Sequence, residues 1–359
     1  MGTRTAQRRG SAAPIGLTGR GNPRDTAPAR TARIGRFMAE PCPFWTIAHS
    51  PARRRRKKER IPIDTQTTTG ALEYTLIIPT LNAAGCIDAL LQSLLDQTLP
   101  PREILVVDSA SEDGTADRAR AYDAVKVIPI ARADFDHGGT RDMAIRRCGT
   151  PFAVLMTQDA LPVDRGLMAA LLKPLADERV AAVCARQVAR PEATQRERLV
   201  RAFRYPDESA VWSGADIPKR GIRAYLLSDV CAAYRREAYL SVGGFEHPID
   251  TNEDMLIAAD FLRAGWKLAY SAEARVWHSH AFTLRQEYAR NFKVGGFLAR
   301  YADRFPGSGA MGEGLRMVKA VSIGLLKRGR LPEWFAFAAN CAARMLGNRA
   351  GRRRERAHG

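Results

Sequence analysis

Three acidic groups stand out because of where they fall along the chain. Asp159, in Thr157-Gln158-Asp159, follows the apolar run 152–156. Asp108 follows another apolar run, and the pair Glu253-Asp254 begins a segment with helical spacing. Carboxylates at such places can bind a divalent cation, accept hydrogen bonds from a ligand or take a proton from a reacting hydroxyl. A lone Asp shortly before Pro162 is by itself typical of a turn, so its role depends on the elements around it.

Hydrophobic patterning predicts the elements that position these groups. Continuous apolar runs predict strands in YTLIIPT (Tyr74 to Thr80), EILVVDS, VKVIPI, FAVLM and VAAVCARQV. A helix face is predicted between the first two by the spacing of Ile87, Leu90, Leu91, Leu94 and Leu95, and DGTADRARAY predicts a polar helix. Apolar strands that alternate with helices predict an α/β fold with a mostly parallel, Rossmann-like sheet covered on both faces.

The polar residues at the ends of these strands are predicted to share one crevice, because ligands of such sheets bind outside the carboxyl ends of the strands. The first strand ends in Pro79 and Thr80 with Asn82 close behind, and the second ends in Asp108 and Ser109. The fourth is followed by residues 157–159. Agreement among three strand ends favours Asp159 as part of a ligand site over a turn or capping residue.

The strict alternation ends after Val188. The sequence then predicts a charged helix in ATQRERLVRAFRYP, a strand in IRAYLLSDVCAAY, a helix that starts near Glu253 and is closed by Gly265, and a strand that ends at His278. Amphipathic helices are predicted from about Thr283, Met311 and Pro332. A loop rich in glycine, DFDHGGTRD, is predicted after the third strand.

The net charge of +18 is concentrated at the two ends of the chain. Residues 1–60 contain 15 Lys and Arg against three acids, and residues 341–359 contain six Arg against one acid. The rest is nearly neutral, which excludes a uniformly basic nucleic-acid binder. For the basic start, with RRRRKKER at Arg53 to Arg60, three interpretations stay open: a tail that docks on anionic lipid or nucleic acid, a solvated tail, or sequence upstream of a start at Met38.

Cysteine spacing and hydropathy indicate the cellular setting. The six cysteines contain no CxxC pair, so neither a zinc site nor a disulfide framework is indicated, which fits a reducing cytosol. The longest apolar stretch near the end, WFAFAANCAA, is too short to span a bilayer. The sequence therefore predicts a cytoplasmic protein, soluble or peripheral on the inner face of the cell membrane.

Several motifs in order resemble glycosyltransferase family 2, which has the GT-A fold. LIIPTLNAAGCIDALLQSLLDQTLPPREILVVDSASEDGT is similar to the family's opening half, and GGF with NEDMLIAADFLRAGWKLAY to its acceptor-side segment. DFDHGGTRDMA, MTQDA and VWHSHAFT resemble its bacterial rhamnosyltransferase branch. The resemblance covers roughly residues 74–300. It implies a GT-A domain at 71–305. Composition and the lack of apolar periodicity predict a disordered basic tail at 1–70, and a helical extension at 306–350 and a second basic tail at 351–359 are expected after the domain.

The resemblance also implies a donor site for a nucleotide sugar. Its base and ribose are expected to bind at Pro79, Thr80, Asn82, Asp108, Ser109 and Gln158. For Asp108 the competing interpretation is a cap on the next helix. The segment His137-Gly138-Gly139 is expected to let backbone approach the donor, and Arg141 to contact its phosphate. This segment also resembles the GxGTR of sugar nucleotidyltransferases, but it follows the third strand, whereas theirs follows the first.

Metal binding and base catalysis are the other two implied functions. The family's metal motif is Asp-x-Asp, whereas here Thr157 replaces the first acid, so Asp159 is expected to bind Mg²⁺ or Mn²⁺ with help from His278 or His280. Surface or helix-terminal histidines are the alternative. Asp254, beside Glu253, is the expected base, and a single in-line displacement would invert the sugar's anomeric configuration. Alternatively, the two acids only complement a helix dipole.

These inferences predict a nonprocessive inverting glycosyltransferase, because the Gln-x-x-Arg-Trp motif of processive relatives is absent from the sequence. TDP-rhamnose is the expected donor and a saccharide or polyprenyl-diphosphate-linked acceptor of surface polysaccharide the expected acceptor. Asp142 and Asp229, where relatives often have Asn, leave the donor sugar open. The alternatives are another nucleotide sugar, or a scaffold without activity whose basic tails bind membrane or nucleic acid. The basic, amphipathic C-terminal helices fit either a membrane surface or packing on the domain.

Overall fold

The computed structural model describes residues 72–307 and 310–358. The predicted disordered tail at 1–70 lies outside the described residues. The strands are β1 (Tyr74–Thr80), β2 (Glu103–Asp108), β3 (Val125–Pro129), β4 (Phe152–Met156), β5 (Leu161–Pro162), β6 (Val180–Val188), β7 (Ala210–Trp212), β8 (Cys231–Arg235) and β9 (Lys267–Trp277). The α-helices are α1 (Ile87–Leu95), α2 (Thr115–Arg120), α3 (His137–Arg147), α4 (Leu167–Leu172), α5 (Gln195–Arg204), α6 (Ile217–Arg220), α7 (Arg236–Ser241), α8 (Glu253–Arg263), α9 (Leu284–Arg300), α10 (Ala310–Leu326) and α11 (Leu331–Arg356).

One mixed sheet organises the described residues. Its order is β3-β2-β1-β4-β8-β6-β9-β5, and β7 also pairs with β9. Strands β1 to β4 are parallel, as are β6 and β9. Strand β8 joins these two parallel parts by pairing antiparallel with β4 and β6. The predicted α/β fold is confirmed, since helices cover a sheet whose first four strands and crossovers follow the predicted order.

The first predicted strands and helices occur where the apolar spacing placed them. Leu76 and Ile78 of β1 pack with α1 on one face of the sheet, and Ile77 packs on the opposite face, as the alternation of side chains in a strand requires. On α1, Ile87, Leu90, Leu91 and Leu94 are buried, whereas Leu95 is only half-buried. The predicted face of α1 is therefore confirmed except at its last residue.

Two predicted elements were wrong. The segment predicted as one strand, IRAYLLSDVCAAY, contains a 3-10 helix at Gly221–Tyr225, a connecting segment and only then β8. The Gly-rich segment predicted as a loop is helical from His137, because Asp136 accepts a hydrogen bond from the backbone N–H of Gly139 at 2.6 Å and so caps α3. In the second case a local side-chain bond, rather than hydrophobicity, decided the structure.

The C-terminal helices α9 and α11 pack on each other through glycine contacts. A Cβ added to Gly351 would lie 1.9 Å from the carbonyl oxygen of Phe292, and one added to Gly347 would lie 2.3 Å from that of Tyr288. Helices α9 and α11 therefore approach too closely for any larger residue at these positions. Because α11 continues to Arg356, the prediction of a separate basic tail at 351–359 was wrong for residues 351–356.

Candidate active site

The carboxyl ends of β1, β2 and β4 lie at one edge of the sheet, because the three strands are parallel neighbours. The Thr80 hydroxyl donates to Asp108 Oδ1 at 2.9 Å. Gln158 holds the chain that leaves β1 through both backbone groups of Leu81. Its Oε1 accepts a hydrogen bond from Leu81 N at 2.8 Å, and its Nε2 donates one to Leu81 O at 3.1 Å. The polar residues that follow these strands therefore support one another through hydrogen bonds.

Asp108 organises the loop behind β2. Its Oδ2 accepts from Ser111 N at 3.0 Å, and its Oδ1 accepts from the Ser111 hydroxyl at 2.6 Å. The interpretation as a cap of the next helix was wrong, because the turn before α2 is held by Asp113, which accepts from Thr115 N at 3.0 Å. The predicted nucleotide contacts of Pro79, Thr80, Asn82, Asp108, Ser109 and Gln158 stay predictions; the observed bonds show how the loop that would carry them is fixed.

Asp159, His278 and His280 converge on one point. The Nε2 atoms of His278 and His280 each lie 3.4 Å from Asp159 Oδ2. The three potential ligand atoms lie within 4.8 Å of one another, which is close enough to hold one metal ion. We call these three residues the metal triad. The structure thus brings together the three residues for which the sequence predicted a metal site, with both histidines rather than one.

The protonation of His278 fits a cation. Gln187 Oε1 accepts from Arg201 Nη1, and an arginine can only donate, so the atom of Gln187 that faces His278 is an oxygen. His278 Nδ1 lies 2.8 Å from this oxygen and must carry the proton. The lone pair on His278 Nε2 then faces the negatively charged carboxylate of Asp159, and the two repel each other. A metal ion bound by both atoms would remove this repulsion.

Burial makes both imidazoles neutral. Desolvation lowers the pKa of His278, and it lowers the pKa of His280 to about 3 with a further contribution from the neighbouring His278. Neutral rings at ordinary pH offer nitrogen lone pairs, which is the state that binds a metal. The donor chemistry of the triad therefore fits a divalent ion.

A second group of charges surrounds Arg141, which is only 5% exposed. Its Nε lies 3.6 Å from Asp229 Oδ2 and its Nη1 lies 3.3 Å from Glu253 Oε1. Asp254 follows Glu253 at the start of α8, and the Tyr234 hydroxyl donates to Asp229 Oδ1. We call Arg141, Asp229, Glu253 and Asp254 the acid cluster. It places three carboxylates around one guanidinium.

The excess of carboxylates in the acid cluster shifts their protonation. Burial and the nearby Glu253 raise the pKa of Asp229 to about 7, although Arg141 opposes the shift. Burial, Glu253 and Asp229 raise the pKa of Asp254 well above its usual range. A carboxylate with a raised pKa is better suited to take up a proton than an ordinary one.

The segment at 137–139 helps to place the acid cluster. A Cβ added to Gly138 would lie 2.1 Å from Glu246 O, so glycine here allows α3 to pack on the chain that leads into α8. Asp136 Oδ2 also accepts from Ile249 N at 2.7 Å. The expectation that these glycines form a loop near the donor was therefore wrong in its geometry, and a donor contact by His137, Gly138 or Gly139 stays a prediction.

Asp142 has a structural explanation. It accepts from the Tyr239 hydroxyl at 2.8 Å, and Arg146, which donates to Asp142 at 2.7 Å, also donates to Gly243 O at 2.6 Å. Gly244 has φ +89° and would place a Cβ 2.3 Å from Asp142 Oδ1. The carboxylate thus holds the glycine turn of GGF, and its hydrogen bonds account for an acid at this position.

Comparison with known proteins agrees with this geometry. The family Glycosyl transferase family 2 matches residues 75–243. The O-antigen chain rhamnosyltransferase RfbN of Salmonella typhimurium is 38% identical over 285 residues, which cover 78% of this chain and 90% of that protein. The chain belongs to glycosyl transferase family 2. WbaN of Salmonella anatum, also an O-antigen chain rhamnosyltransferase, is 37% identical over 284 residues, covering 78% of this chain and 89% of that protein.

The solved structures support the fold of this family 2 glycosyltransferase. The mannosyltransferase PcManGT from Pyrobaculum calidifontis, in complex with GDP-Man and Mn²⁺, matches with a TM-score of 0.53 at 22% identity. The match covers 79% of this chain and 86% of that chain. The predicted GT-A fold and family are therefore confirmed.

Sequence analysis missed Gln187 and Arg201 of this glycosyltransferase. Gln187 is near the carboxyl end of β6, and the rule applied to the first, second and fourth strands would have found it there. Arg201 follows Glu197 at the spacing of an ordinary surface pair on a helix, and only the fold reveals that it reaches Gln187. Gln187 Nε2 also donates to Ser228 Oγ at 2.9 Å, and Ser228 precedes Asp229 of the acid cluster.

Replacing Asp229 by Asn should change how stability depends on pH. Since the folded-state pKa of about 7 exceeds the usual value of 3.8, the wild-type protein loses stability as pH rises between these values. A neutral amide beside Arg141, Tyr234, Glu253 and Asp254 removes this loss. We expect the melting temperature of Asp229→Asn, relative to wild type, to increase from pH 5 to pH 8 when measured in EDTA.

Asp117→Asn is the matched control for this measurement, since its side chain is 84% exposed on α2. Its melting temperature should follow that of wild type at every pH. A constant difference between Asp229→Asn and wild type across the same range would contradict the charge balance assigned to the acid cluster.

Proposed function

We propose that this glycosyltransferase moves rhamnose from TDP-rhamnose to a saccharide or polyprenyl-diphosphate-linked acceptor in surface polysaccharide assembly, one sugar per encounter and with inversion. The observation that carries the proposal is the presence of the metal triad and the acid cluster in one domain, connected through Gln187 and Ser228. The donor assignment is supported by the two relatives named O-antigen chain rhamnosyltransferases. Each half of the site supplies a different requirement of sugar transfer.

The metal triad would hold Mn²⁺ in preference to Mg²⁺. Two imidazole nitrogens and one carboxylate suit manganese, whereas magnesium favours a set made of oxygen ligands. A divalent ion at this place supplies positive charge for the leaving diphosphate. The second imidazole takes the place of the acid that the family motif has at the position of Thr157.

Asp254 would act as the base. It lies in the first turn of α8, where the free helix N–H groups favour a carboxylate. It is half-buried and follows Glu253. Its raised pKa suits the removal of a proton from an acceptor hydroxyl as that oxygen attacks the anomeric carbon. Arg141 would hold Glu253 in place from the buried side, and phosphate contact by Arg141 is the second part of this proposal.

Replacing Asp254 by Asn tests the assignment. We expect transfer from TDP-rhamnose to extracted lipid-linked saccharides to slow by about a hundredfold or more, because a general base contributes on that scale. Affinity for TDP-rhamnose should stay close to that of wild type. TDP release and the anomeric configuration of the product, followed by NMR, measure both the rate and the inversion.

Asp250→Asn is the control, since its carboxylate is 62% exposed in the segment before α8. An Asp254→Asn rate equal to that of the control would show that Asp254 is not the base. UDP- and GDP-sugars tested in parallel decide between rhamnose and another donor. Absence of turnover with every donor would favour a scaffold without activity.

We also propose that the turn between α10 and α11 contacts the inner face of the cell membrane. Leu326, Leu331 and Phe335 there are 47%, 54% and 64% exposed. Lys327, Arg328 and Arg330 lie between them and are exposed as well. Apolar residues interleaved with basic ones match an anionic lipid surface. No helix within 72–307 and 310–358 is long and apolar enough to cross a membrane.

Sedimentation with vesicles of phosphatidylglycerol and phosphatidylethanolamine tests this contact. The variant L326S/L331S/F335S should bind them at least about tenfold more weakly, because each change removes buried apolar area at the membrane. The variant V211S/L226S/L240S, which changes exposed apolar residues elsewhere, should bind like wild type. Equal binding by both variants would show that the lipid contact lies elsewhere, for example in the basic segment 53–60.

A further inference from the structure

Four arginines on three helices of the C-terminal part form a basic surface that the proposed chemistry does not use. They are Arg201 and Arg204 on α5, Arg290 on α9 and Arg344 on α11. Helix α11 packs against both α5 and α9. We call this set the arginine cleft. Arg204 lies one turn from Arg201 on α5. Arg344 on α11 lies 3.6 Å from Glu287 of α9, one turn before Arg290 on the same helix.

Only half of this positive charge is balanced by the protein. Arg201 pairs with Glu197 at 2.7 Å, and Arg344 lies 3.6 Å from Glu287. Among residues 72–307 and 310–358, no carboxylate oxygen lies within 4.0 Å of a side-chain nitrogen of Arg204 or Arg290. Both side chains remain accessible to solvent. Among the described residues, two guanidinium groups of this set thus lie at the surface without an acidic partner.

The arginine cleft borders the metal triad. The guanidinium of Arg290 lies 5.2 Å from the ring centroid of Phe282, and Phe282 stacks on His280 at 4.8 Å. On the other side, Arg201 Nη1 lies 3.4 Å from His278 Nδ1. The cleft therefore continues the site from the metal triad towards the C-terminal helices.

We infer that the arginine cleft binds a diphosphate group in addition to the contacts made at the metal triad. Two unbalanced guanidinium forks match the charge and the oxygen geometry of a diphosphate dianion. The proposed function already gives the donor's nucleotide diphosphate to the metal triad, and the arginine cleft leads away from the triad towards α9 and α11, which favours the acceptor's lipid diphosphate. Only this choice of source rests on the proposed function; anion binding itself does not.

Inorganic pyrophosphate, titrated by calorimetry into the full chain in EDTA, tests the inference without metal or sugar chemistry. The variant R204Q/R290Q should bind it roughly tenfold more weakly or worse, since each arginine supplies charge-assisted hydrogen bonds. The variant R102Q/R165Q removes the same charge from two exposed arginines that pair with Glu73, just before β1, and Asp96, before β2. It should bind pyrophosphate within about twofold of wild type. Melting temperatures verify that each variant is folded.

A charge-conserving variant separates specific binding from general attraction. R204K/R290K should retain part of the pyrophosphate affinity, because lysine keeps the charge but not the planar fork. If R204Q/R290Q and R102Q/R165Q bind pyrophosphate equally, the arginine cleft is not an anion site. This result could arise in an active transferase, and pyrophosphate binding could persist in a protein that transfers no sugar, so the two proposals fail independently.

Two further ligands identify the source of the diphosphate. TDP represents the donor, and farnesyl diphosphate represents a lipid-linked acceptor in soluble form. Loss of farnesyl diphosphate binding alone in R204Q/R290Q assigns the cleft to the acceptor, and loss of TDP binding alone assigns it to the donor. Loss of binding of both ligands indicates a site shared by donor and acceptor. Unchanged binding of both ligands and of pyrophosphate in R204Q/R290Q would overturn the inference.

Discussion

The carboxamide of Gln187 is the contact on which the arrangement of charges depends. Its oxygen accepts from Arg201 and from His278, and its nitrogen donates to Ser228, beside Asp229. Because the side chain is only 3% exposed, each of these bonds is made away from water, where an unpaired amide would be costly. One amide thereby fixes the orientation of His278 and connects the metal triad, the acid cluster and the arginine cleft.

The charges of the site are separated by sign. Carboxylates outnumber cations around Arg141, where the proposed base lies, whereas guanidinium groups outnumber carboxylates among the arginine cleft and its acidic partners. Gln187 lies between these regions in the hydrogen-bond network, and His278 of the metal triad is bonded to it. Such a gradient suits a reaction that removes a proton at one end and develops negative charge on a diphosphate at the other.

Local apolar patterning predicted the first half of the sheet because β1, β2 and β4 are buried strands whose carboxyl ends lie at one edge. The resemblance to the family, and not the patterning, associated Asp159 with His278 or His280. Patterning failed where contacts other than apolar ones decide the structure. Gly138 and Gly139 are helical because Asp136 caps α3, and Gly347 and Gly351 are required by the close approach of helix α9. Gln187 and Arg201 could be connected only once β6 and α5 were placed in space.

Manganese affinity of the variant Gln187→Ala is the most direct test of the account, because Gln187 is not itself a proposed metal ligand. Loss of the bond that orients His278 should weaken Mn²⁺ binding by about 10- to 100-fold, as measured by electron paramagnetic resonance titration of the full chain. Gln97→Ala removes another buried amide, 5% exposed and far along the chain, and should leave the affinity unchanged. Wild-type Mn²⁺ affinity in Gln187→Ala would contradict the central role given to this side chain.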